Sequence, residues 1–169
     1  MEKSFLIDAN LIRDMLSVYS LKALLSMECC FCTMDGVLGE LKKVVAPEVL
    51  DRIRNFNKLN IVRLDESSTD EVLSFYESLS NKLTYNEVEL IFYAMKNDCV
   101  ILSSDCNFLN IAKQYVHKAY NLVQVLEGMV WKNVLNYSQA VENLEDILEM
   151  NHCLPKEECE SALKKWKSK

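Results

Sequence analysis

Short apolar runs alternate with amphipathic segments along most of the chain. Five apolar runs are typical of buried strands, and they cover residues 5–7, 28–33, 60–64, 99–102 and 122–125. Between them, apolar residues recur at helical spacing, as at Val37, Leu38 and Leu41. Strands that alternate with helices and are apolar on both faces form a parallel sheet covered on two sides. We therefore predict a three-layer α/β/α domain with a short central parallel sheet of about five strands.

The same pattern predicts helices, and from residue 127 onward it predicts helices only. The predicted helices cover residues 11–18, 21–27, 37–45, 48–56, 67–79, 84–96, 107–116, 128–135, 138–150 and 155–166. A capping box of Thr84 with Glu87 opens the helix over 84–96. No Gly, Pro or Ser-rich linker separates the last helices, so we predict an α/β domain over residues 1–131 and a helical extension over 132–169 packed on it. Trp131 and Trp166 are expected to be anchors in the core or on its flank.

Charge and apolar content exclude several classes of protein. The 19 Lys and Arg residues stand against 25 Asp and Glu, a net charge of −6, which argues against a protein that coats nucleic acid by bulk attraction. Apolar runs are far shorter than the ~20 residues of a membrane-spanning helix. Asp8 and Arg13 interrupt any apolar stretch of a signal peptide. We expect a cytoplasmic protein with no membrane partner, in which the seven cysteines form no disulfides.

Four acidic residues stand at the ends of predicted elements. Asp8 follows the first strand and Asp105 the fourth, Glu40 lies on the helix after the second strand, and Glu87 opens the helix before the fourth. Sites in open parallel sheets gather beyond the carboxyl ends of the strands, so these acids are expected to face one edge. Acids gathered there disfavour one another's charge unless a divalent cation neutralises them. Oxygen ligands of this kind select Mg²⁺ or Mn²⁺, which position phosphate and activate water for phosphodiester hydrolysis.

Each acid also has a purely structural interpretation. Asp8 and Asp105 can be N-caps of the helices that follow them, and Glu87 can serve only the capping box with Thr84. Glu40 can lie on a solvent face. Nucleotide cofactors are disfavoured because neither glycine-rich phosphate loop occurs and the chain has three glycines in all.

The motifs around the four acids resemble those of the PIN-domain nucleases, especially the VapC-type toxins of toxin–antitoxin pairs. The resemblance spans about residues 4–131, and the helical tail is similar to an extension found in an uncharacterised subgroup of that family. Four segments carry it in order: Phe5-Leu6-Ile7-Asp8-Ala9-Asn10-Leu11-Ile12, Val37-Leu38-Gly39-Glu40-Leu41, Leu83-Thr84-Tyr85-Asn86-Glu87-Val88 followed by Ala94, and Ile101-Leu102-Ser103-Ser104-Asp105-Cys106-Asn107-Phe108.

The resemblance implies a function and a set of site residues. It makes Asp8, Glu40, Glu87 and Asp105 the catalytic, metal-binding acids of a PIN-like nuclease domain that cleaves RNA with Mg²⁺ or Mn²⁺. Asn10, Ser103 and Asn107 become polar neighbours of those acids, and Asn107 stands where many members carry another acid. An RNA substrate, an antitoxin protein and a homodimer are the implied partners. Cations beside the acidic site are expected at Lys42, Lys43, Lys113 and Lys118.

Two other functions fit the pattern. One is a PIN-like module, catalytically weak or inactive, that binds nucleic acid or protein. The other is a signalling domain with a phosphoacceptor Asp, but residues 122–127 offer no Lys after the fifth strand, as such a domain requires. Glu89, two residues after Glu87, does not share its helix face and is a less favoured candidate for the site; its structural interpretation is solvent exposure.

Overall fold

The protein folds around a twisted-sheet core, seen in a computed structural model that describes residues 4–79 and 82–169. In these ranges, five parallel strands form a single sheet in the order β3-β2-β1-β4-β5. The strands are β1 Ser4–Ile7, β2 Cys30–Met34, β3 Leu59–Val62, β4 Val100–Leu102 and β5 Ala119–Tyr120. Helices flank the sheet and complete a three-layer α/β/α fold, which confirms the predicted class.

The helices occupy the segments between the strands and the whole C-terminal part. They are α1 Ala9–Ser17, α2 Leu21–Leu25, α3 Asp35–Leu41, α4 Pro47–Arg54, α5 Thr69–Ser78, α6 Tyr85–Asn97, α7 Cys106–Ala112, α8 Leu122–Trp131, α9 Tyr137–Met150 and α10 Lys156–Lys167. The predicted capping box of Thr84 and Glu87 is confirmed at the start of α6. Pro47 stands at the start of α4, where its missing N–H leaves no intrahelical hydrogen bond unmade.

One predicted strand is wrong. Residues 122–125 begin helix α8, and the fifth strand lies earlier, at Ala119–Tyr120. Asn121 and Gln124 form a capping box that starts the helix, and Leu122, Leu126 and Met129 are fully buried along one face. A short apolar run does not by itself separate a buried strand from a buried helix, and here helix capping decides. The helix predicted to begin at residue 128 therefore begins at 122.

Helices α8, α9 and α10 pack together and share the apolar core with the sheet. The Trp166 side chain is only 2% exposed, so its prediction as an anchor is confirmed. The prediction for Trp131 is wrong: the residue is 72% exposed, because it ends α8 on the face opposite buried Met129. Two polar contacts also join α9 to the first helices, since Asn143 Nδ2 donates to Ser20 Oγ at 2.7 Å and Asn151 Nδ2 donates to Asp14 Oδ2 at 2.7 Å.

The sheet topology places a crevice beside the first strand. From β1 the chain moves outward through β2 to β3, then returns to the other side of β1 with β4 and β5. Strand order therefore reverses between β1 and β4, and the carboxyl ends of such neighbouring strands are where open α/β sheets form sites. Within the described ranges, every helix is too short or too polar to cross a bilayer.

Candidate functional site

Asp8 and Asp105 lie on the two sides of the crevice between β1 and β4. Asp8 directly follows β1, and its backbone N–H donates to Leu102 O at 3.1 Å, which extends the strand pairing. Buried Ser103 links the two acids: its Oγ donates to Asp8 Oδ2 at 2.5 Å and accepts from the Asp105 backbone N–H at 3.0 Å. The predicted neighbours Asp8, Ser103 and Asp105 thus form one hydrogen-bonded unit.

Both aspartates also cap helices, so their structural interpretation is confirmed. Asp8 Oδ1 accepts from Leu11 N at 2.8 Å at the start of α1. Asp105 Oδ1 accepts from Asn107 N at 2.8 Å and Phe108 N at 3.0 Å at the start of α7. Each cap fixes the carboxylate at a helix N-terminus, where the macrodipole favours negative charge. The Oδ2 atom of Asp105 accepts no hydrogen bond from the described residues.

Asp8 holds its proton far more strongly than an ordinary aspartate. Burial raises its pKa from 3.8 to about 7, against the lowering effect of the hydrogen bonds from Ser103, Leu11 and Asn10. The negative charge of Asp105 adds a smaller increase. The carboxylate is 3% exposed, so its ionised form at neutral pH lacks both water and a counter-charge of its own.

Glu87 and Glu40 continue the acidic row away from the crevice. Glu87 Oε2 accepts from Thr84 N at 2.7 Å and from Thr84 Oγ1 at 3.1 Å. Burial raises the Glu87 pKa, the hydrogen bonds from Thr84 lower it, and the charges of Asp105 and Glu40 raise it further. Glu40 is half-buried, and its Oε1 accepts from Asn86 Nδ2 at 2.6 Å. The structure therefore brings the four predicted acids together as a row whose charges act on one another.

Asn86 supports Glu40 in a way that the sequence did not reveal. Its Nδ2 also donates to Gly36 O at 3.4 Å, so one amide joins the start of α6 to α3. A Cβ at position 36 would lie 2.8 Å from Asn86 Oδ1, which is closer than side chains tolerate. Glycine at 36 therefore lets the amide approach. No local signal marks a contact between residues 46 positions apart in the chain.

Glu89 is half-buried, so the expectation of solvent exposure is wrong. Its Oε2 lies 3.2 Å from where a Cβ on Gly36 would stand, against the start of α3. Burial raises the Glu89 pKa, and the nearby charge of Asp35 raises it further. Asp35 in turn forms an ion pair with Arg63, with 3.1 Å between Asp35 Oδ2 and Arg63 Nη2, so Asp35 has a cationic partner.

The polar neighbours differ in what they contact. Asn10 Nδ2 donates to Asp8 Oδ2 at 3.4 Å, and Asn10 Oδ1 accepts from Arg13 Nη2 at 3.0 Å. Asn107 is exposed and reaches Asp105 through its backbone N–H. The lysines expected as a cationic rim are exposed, and in the described part of the chain none of them is paired with the four acids: Lys42, Lys43, Lys113 and Lys118.

The four acids are of the ligand type that a hard cation prefers, but both oxygens of Asp8 already accept hydrogen bonds. One oxygen of Glu40, of Glu87 and of Asp105 accepts hydrogen bonds, and the second oxygen of each accepts none from the described residues. Carboxylate oxygens are the ligands that Mg²⁺ and Mn²⁺ prefer. The side chains are not drawn into one coordination shell: over residues 4–79 and 82–169, no three His, Cys, Asp or Glu side chains stand close enough to hold a metal ion.

The fold has a counterpart among solved structures. The crystal structure of PAE2754 from Pyrobaculum aerophilum superposes with a TM-score of 0.54 at 13% sequence identity, over 78% of this chain and 99% of that chain. At this identity the likeness concerns the fold alone. No protein-family model matches the chain, and no curated protein matches it.

Proposed function

We propose that the protein is a metal-dependent endoribonuclease of the PIN type. The observation that carries the proposal is the row of four interacting carboxylates at the switch point of the sheet. In the described part of the chain these acids accept hydrogen bonds only from neutral groups, and none is paired with Lys or Arg. Acids that lie together without a cationic side chain beside them favour the binding of a cation from solution.

The residues at the site divide the work of holding and orienting the acids. Ser103 fixes the distance between Asp8 and Asp105, and the helix caps fix one oxygen of each. Asn86 fixes Glu40. A bound Mg²⁺ or Mn²⁺ would supply neutralisation of these carboxylates, charge stabilisation at the phosphate and activation of water. The acids of the chain then need not serve as nucleophiles.

The biological setting follows from the resemblance to the VapC-type toxins. RNA is the proposed substrate, and an antitoxin protein and a second copy of the chain are the proposed partners. The rival is a PIN-like module, catalytically weak or inactive, that binds nucleic acid or protein. The engagement of Asp8, Glu87 and Asp105 in helix caps favours that rival, because capping alone accounts for these side chains.

Calorimetric titration with Mn²⁺ and Mg²⁺ tests the proposal directly. We expect saturable binding to the wild-type protein, and loss of binding in Asp8→Asn and Asp105→Asn, since each amide keeps the helix cap but removes a charge. Glu145→Gln is the matched control, because Glu145 pairs with Lys167 on the helical extension. Binding that is absent in the wild type, or unchanged in both site variants, refutes the metal centre.

Cleavage of a mixed single-stranded RNA substrate separates the nuclease from the rival. We expect cleavage that requires the divalent cation, stops with EDTA and falls at least about a hundredfold in both Asn variants, the scale on which electrostatic site residues act. Metal binding without cleavage would leave the non-catalytic module as the better account.

A further inference from the structure

We propose that Arg13 binds the backbone phosphate of the RNA next to the one that is cleaved. This inference rests on the proposed nuclease function. Arg13 lies one helical turn after Asn10 on α1, and Asn10 Oδ1 accepts from its Nη2 at 3.0 Å. Asn10 Nδ2 in turn donates to Asp8 Oδ2 at 3.4 Å. The guanidinium is therefore two hydrogen bonds away from the acid at the centre of the site.

The contacts that position Arg13 leave part of its guanidinium available for a ligand. Its Nε lies 3.9 Å from Asp14 Oδ1, at the outer limit of an ion pair, and its side chain is 49% exposed. Asp14 has a stronger partner of its own, since Asn151 Nδ2 donates to its Oδ2 at 2.7 Å. Asn151 is neutral, so Arg13 also supplies a nearby positive charge to the buried Asp14 carboxylate. A guanidinium carries five N–H donors in a planar fork, so several remain for a phosphate.

Two further cations lie along the groove that Arg13 borders. This groove of about 920 Å³ lies between α1, α2 and α4; its other charged lining residues are Lys22 and Arg52, and most of its remaining lining is apolar. Among the described residues no carboxylate lines this groove, although the chain as a whole carries a net charge of −6. A phosphodiester strand that lies along this groove therefore meets the cations Arg13, Lys22 and Arg52.

This placement also answers a difficulty of the acidic site. Four carboxylates repel the phosphates that flank the scissile bond, and a cation within the site would neutralise only the charge nearest to it. In the described ranges the lysines predicted as a rim form no ion pair with the four acids, whereas Arg13 donates to Asn10, which donates to Asp8. Arg13 thus gives the neighbouring phosphate a fixed, bidentate partner.

The test compares Arg13→Gln and Arg13→Lys with Arg54→Gln. Arg54 is also exposed and lies at the end of α4, outside the residues that line the groove, so it controls for the loss of one positive charge. For cleavage of a short fluorogenic single-stranded RNA, we expect Arg13→Gln to raise KM about tenfold with kcat changed by less than about twofold, because a flanking contact contributes to binding of substrate and transition state alike. Arg13→Lys should recover part of the affinity as a point charge.

A binding measurement without catalysis keeps the test independent of the nuclease proposal. Anisotropy of a fluorescein-labelled 2′-O-methyl oligonucleotide in EDTA reports affinity alone. The salt dependence of log K for Arg13→Gln should be shallower by about 0.7, the value for one phosphate contact on a single strand. Arg54→Gln should match the wild type. If both Gln variants behave alike in affinity and salt dependence, Arg13 does not bind phosphate, whatever calorimetry shows for the metal. If calorimetry finds no metal but Arg13→Gln still weakens binding, the metal centre fails and the phosphate contact stands.

Discussion

The acids that pair with lysines of the helical extension and the four acids of the sheet edge have opposite surroundings. Glu145 pairs with Lys167 within the extension, Lys165 of the extension pairs with Glu127 of α8 at 2.5 Å, and all four side chains keep contact with solvent. These carboxylates have cations supplied by the chain. Surface pairs of this kind contribute little to stability, because water already solvates both charges.

At the sheet edge the partners of the four predicted acids are hydroxyls, amides and backbone N–H groups. Asp8 is buried with Ser103, and Glu87 is held by Thr84. Burial raises the pKa of both acids, and like charges raise it further. Neutral donors form hydrogen bonds with the carboxylate oxygens but do not neutralise the charge. The free-energy cost of holding these charges together therefore remains, whereas the ion pairs with lysines of the extension avoid it. Such unneutralised charge is the physical basis for the proposed cation site.

The largest expected effect comes from removing the charge of Asp8. Its raised pKa means that the folded state binds the proton more tightly than the unfolded state, so the contribution of Asp8 to stability falls as pH rises from about 4 to 7 and is level above. Asp8→Asn does not titrate and keeps the N-cap. In EDTA its free energy of unfolding should exceed that of the wild type by up to about 4 kcal/mol at neutral and higher pH.

Urea unfolding in EDTA at a series of pH values from about 4 to 8 measures this difference. We expect the advantage of Asp8→Asn to vanish near the lowest pH and to reach its maximum above about pH 7. Addition of Mn²⁺ should then raise the stability of the wild type and leave Asp8→Asn unchanged. The amide Nδ2 of the variant replaces the oxygen that accepts from Ser103 and Asn10, so the informative quantity is the change of the difference with pH. A stability difference that does not grow between about pH 4 and 7 would show that the carboxylate is adequately compensated within the protein.

An intermediate effect is expected at the serine that joins the two aspartates. Ser103 and Ser104 are adjacent and fully buried, but Ser103 Oγ makes two hydrogen bonds whereas Ser104 Oγ has no partner among the described residues. Ser103→Ala leaves the Asp105 N–H unsatisfied and should cost about 2 kcal/mol. Ser104→Ala removes an unsatisfied hydroxyl and should be neutral or stabilising.

The same pair sharpens the functional comparison. Ser103→Ala should weaken Mn²⁺ binding in calorimetry, because Asp8 and Asp105 lose their common support. Ser104→Ala should bind like the wild type. Equal stability losses in the two variants would mean that the Ser103 bridge contributes nothing beyond filling space.

Apolar runs predict much of the fold, and the one strand predicted wrongly, over residues 122–125, shows what they do not determine. Four strands were predicted at the positions where buried residues pair in parallel. The fifth strand has two residues, Ala119–Tyr120, too short for a pattern to mark it. The apolar run after it was assigned to a strand, although Asn121 and Gln124 already carried the spacing of a capping box. Capping chemistry was the decisive local signal there.

The candidate site was predictable where it depends on strand ends and not where it depends on long-range contacts. Asp8 and Asp105 could be placed because parallel strands end at one edge, and the Thr84 box placed Glu87. The hydrogen bond of Asn86 with Glu40 joins two helices that are distant in the sequence, and no periodic pattern in the sequence predicts it. The bond between Arg13 and Asn10 spans one helical turn, so the i, i+3 spacing was available in the sequence.

The smallest effect is expected on the helical extension, where the same acid-to-amide change meets the opposite surroundings. Glu145→Gln removes an exposed partner of Lys167, and its effect on stability should stay below about 1 kcal/mol. A double-mutant cycle with Lys167→Gln isolates the pair, and its coupling energy should shrink as salt screens both charges. The substitution is chemically the same as Asp8→Asn, so the two effects can be compared directly. A coupling energy well above about 1 kcal/mol would mean that the ion pair on the extension affects stability as much as the charge at the sheet edge. The contrast between the two regions would then no longer identify the acidic row as a functional site.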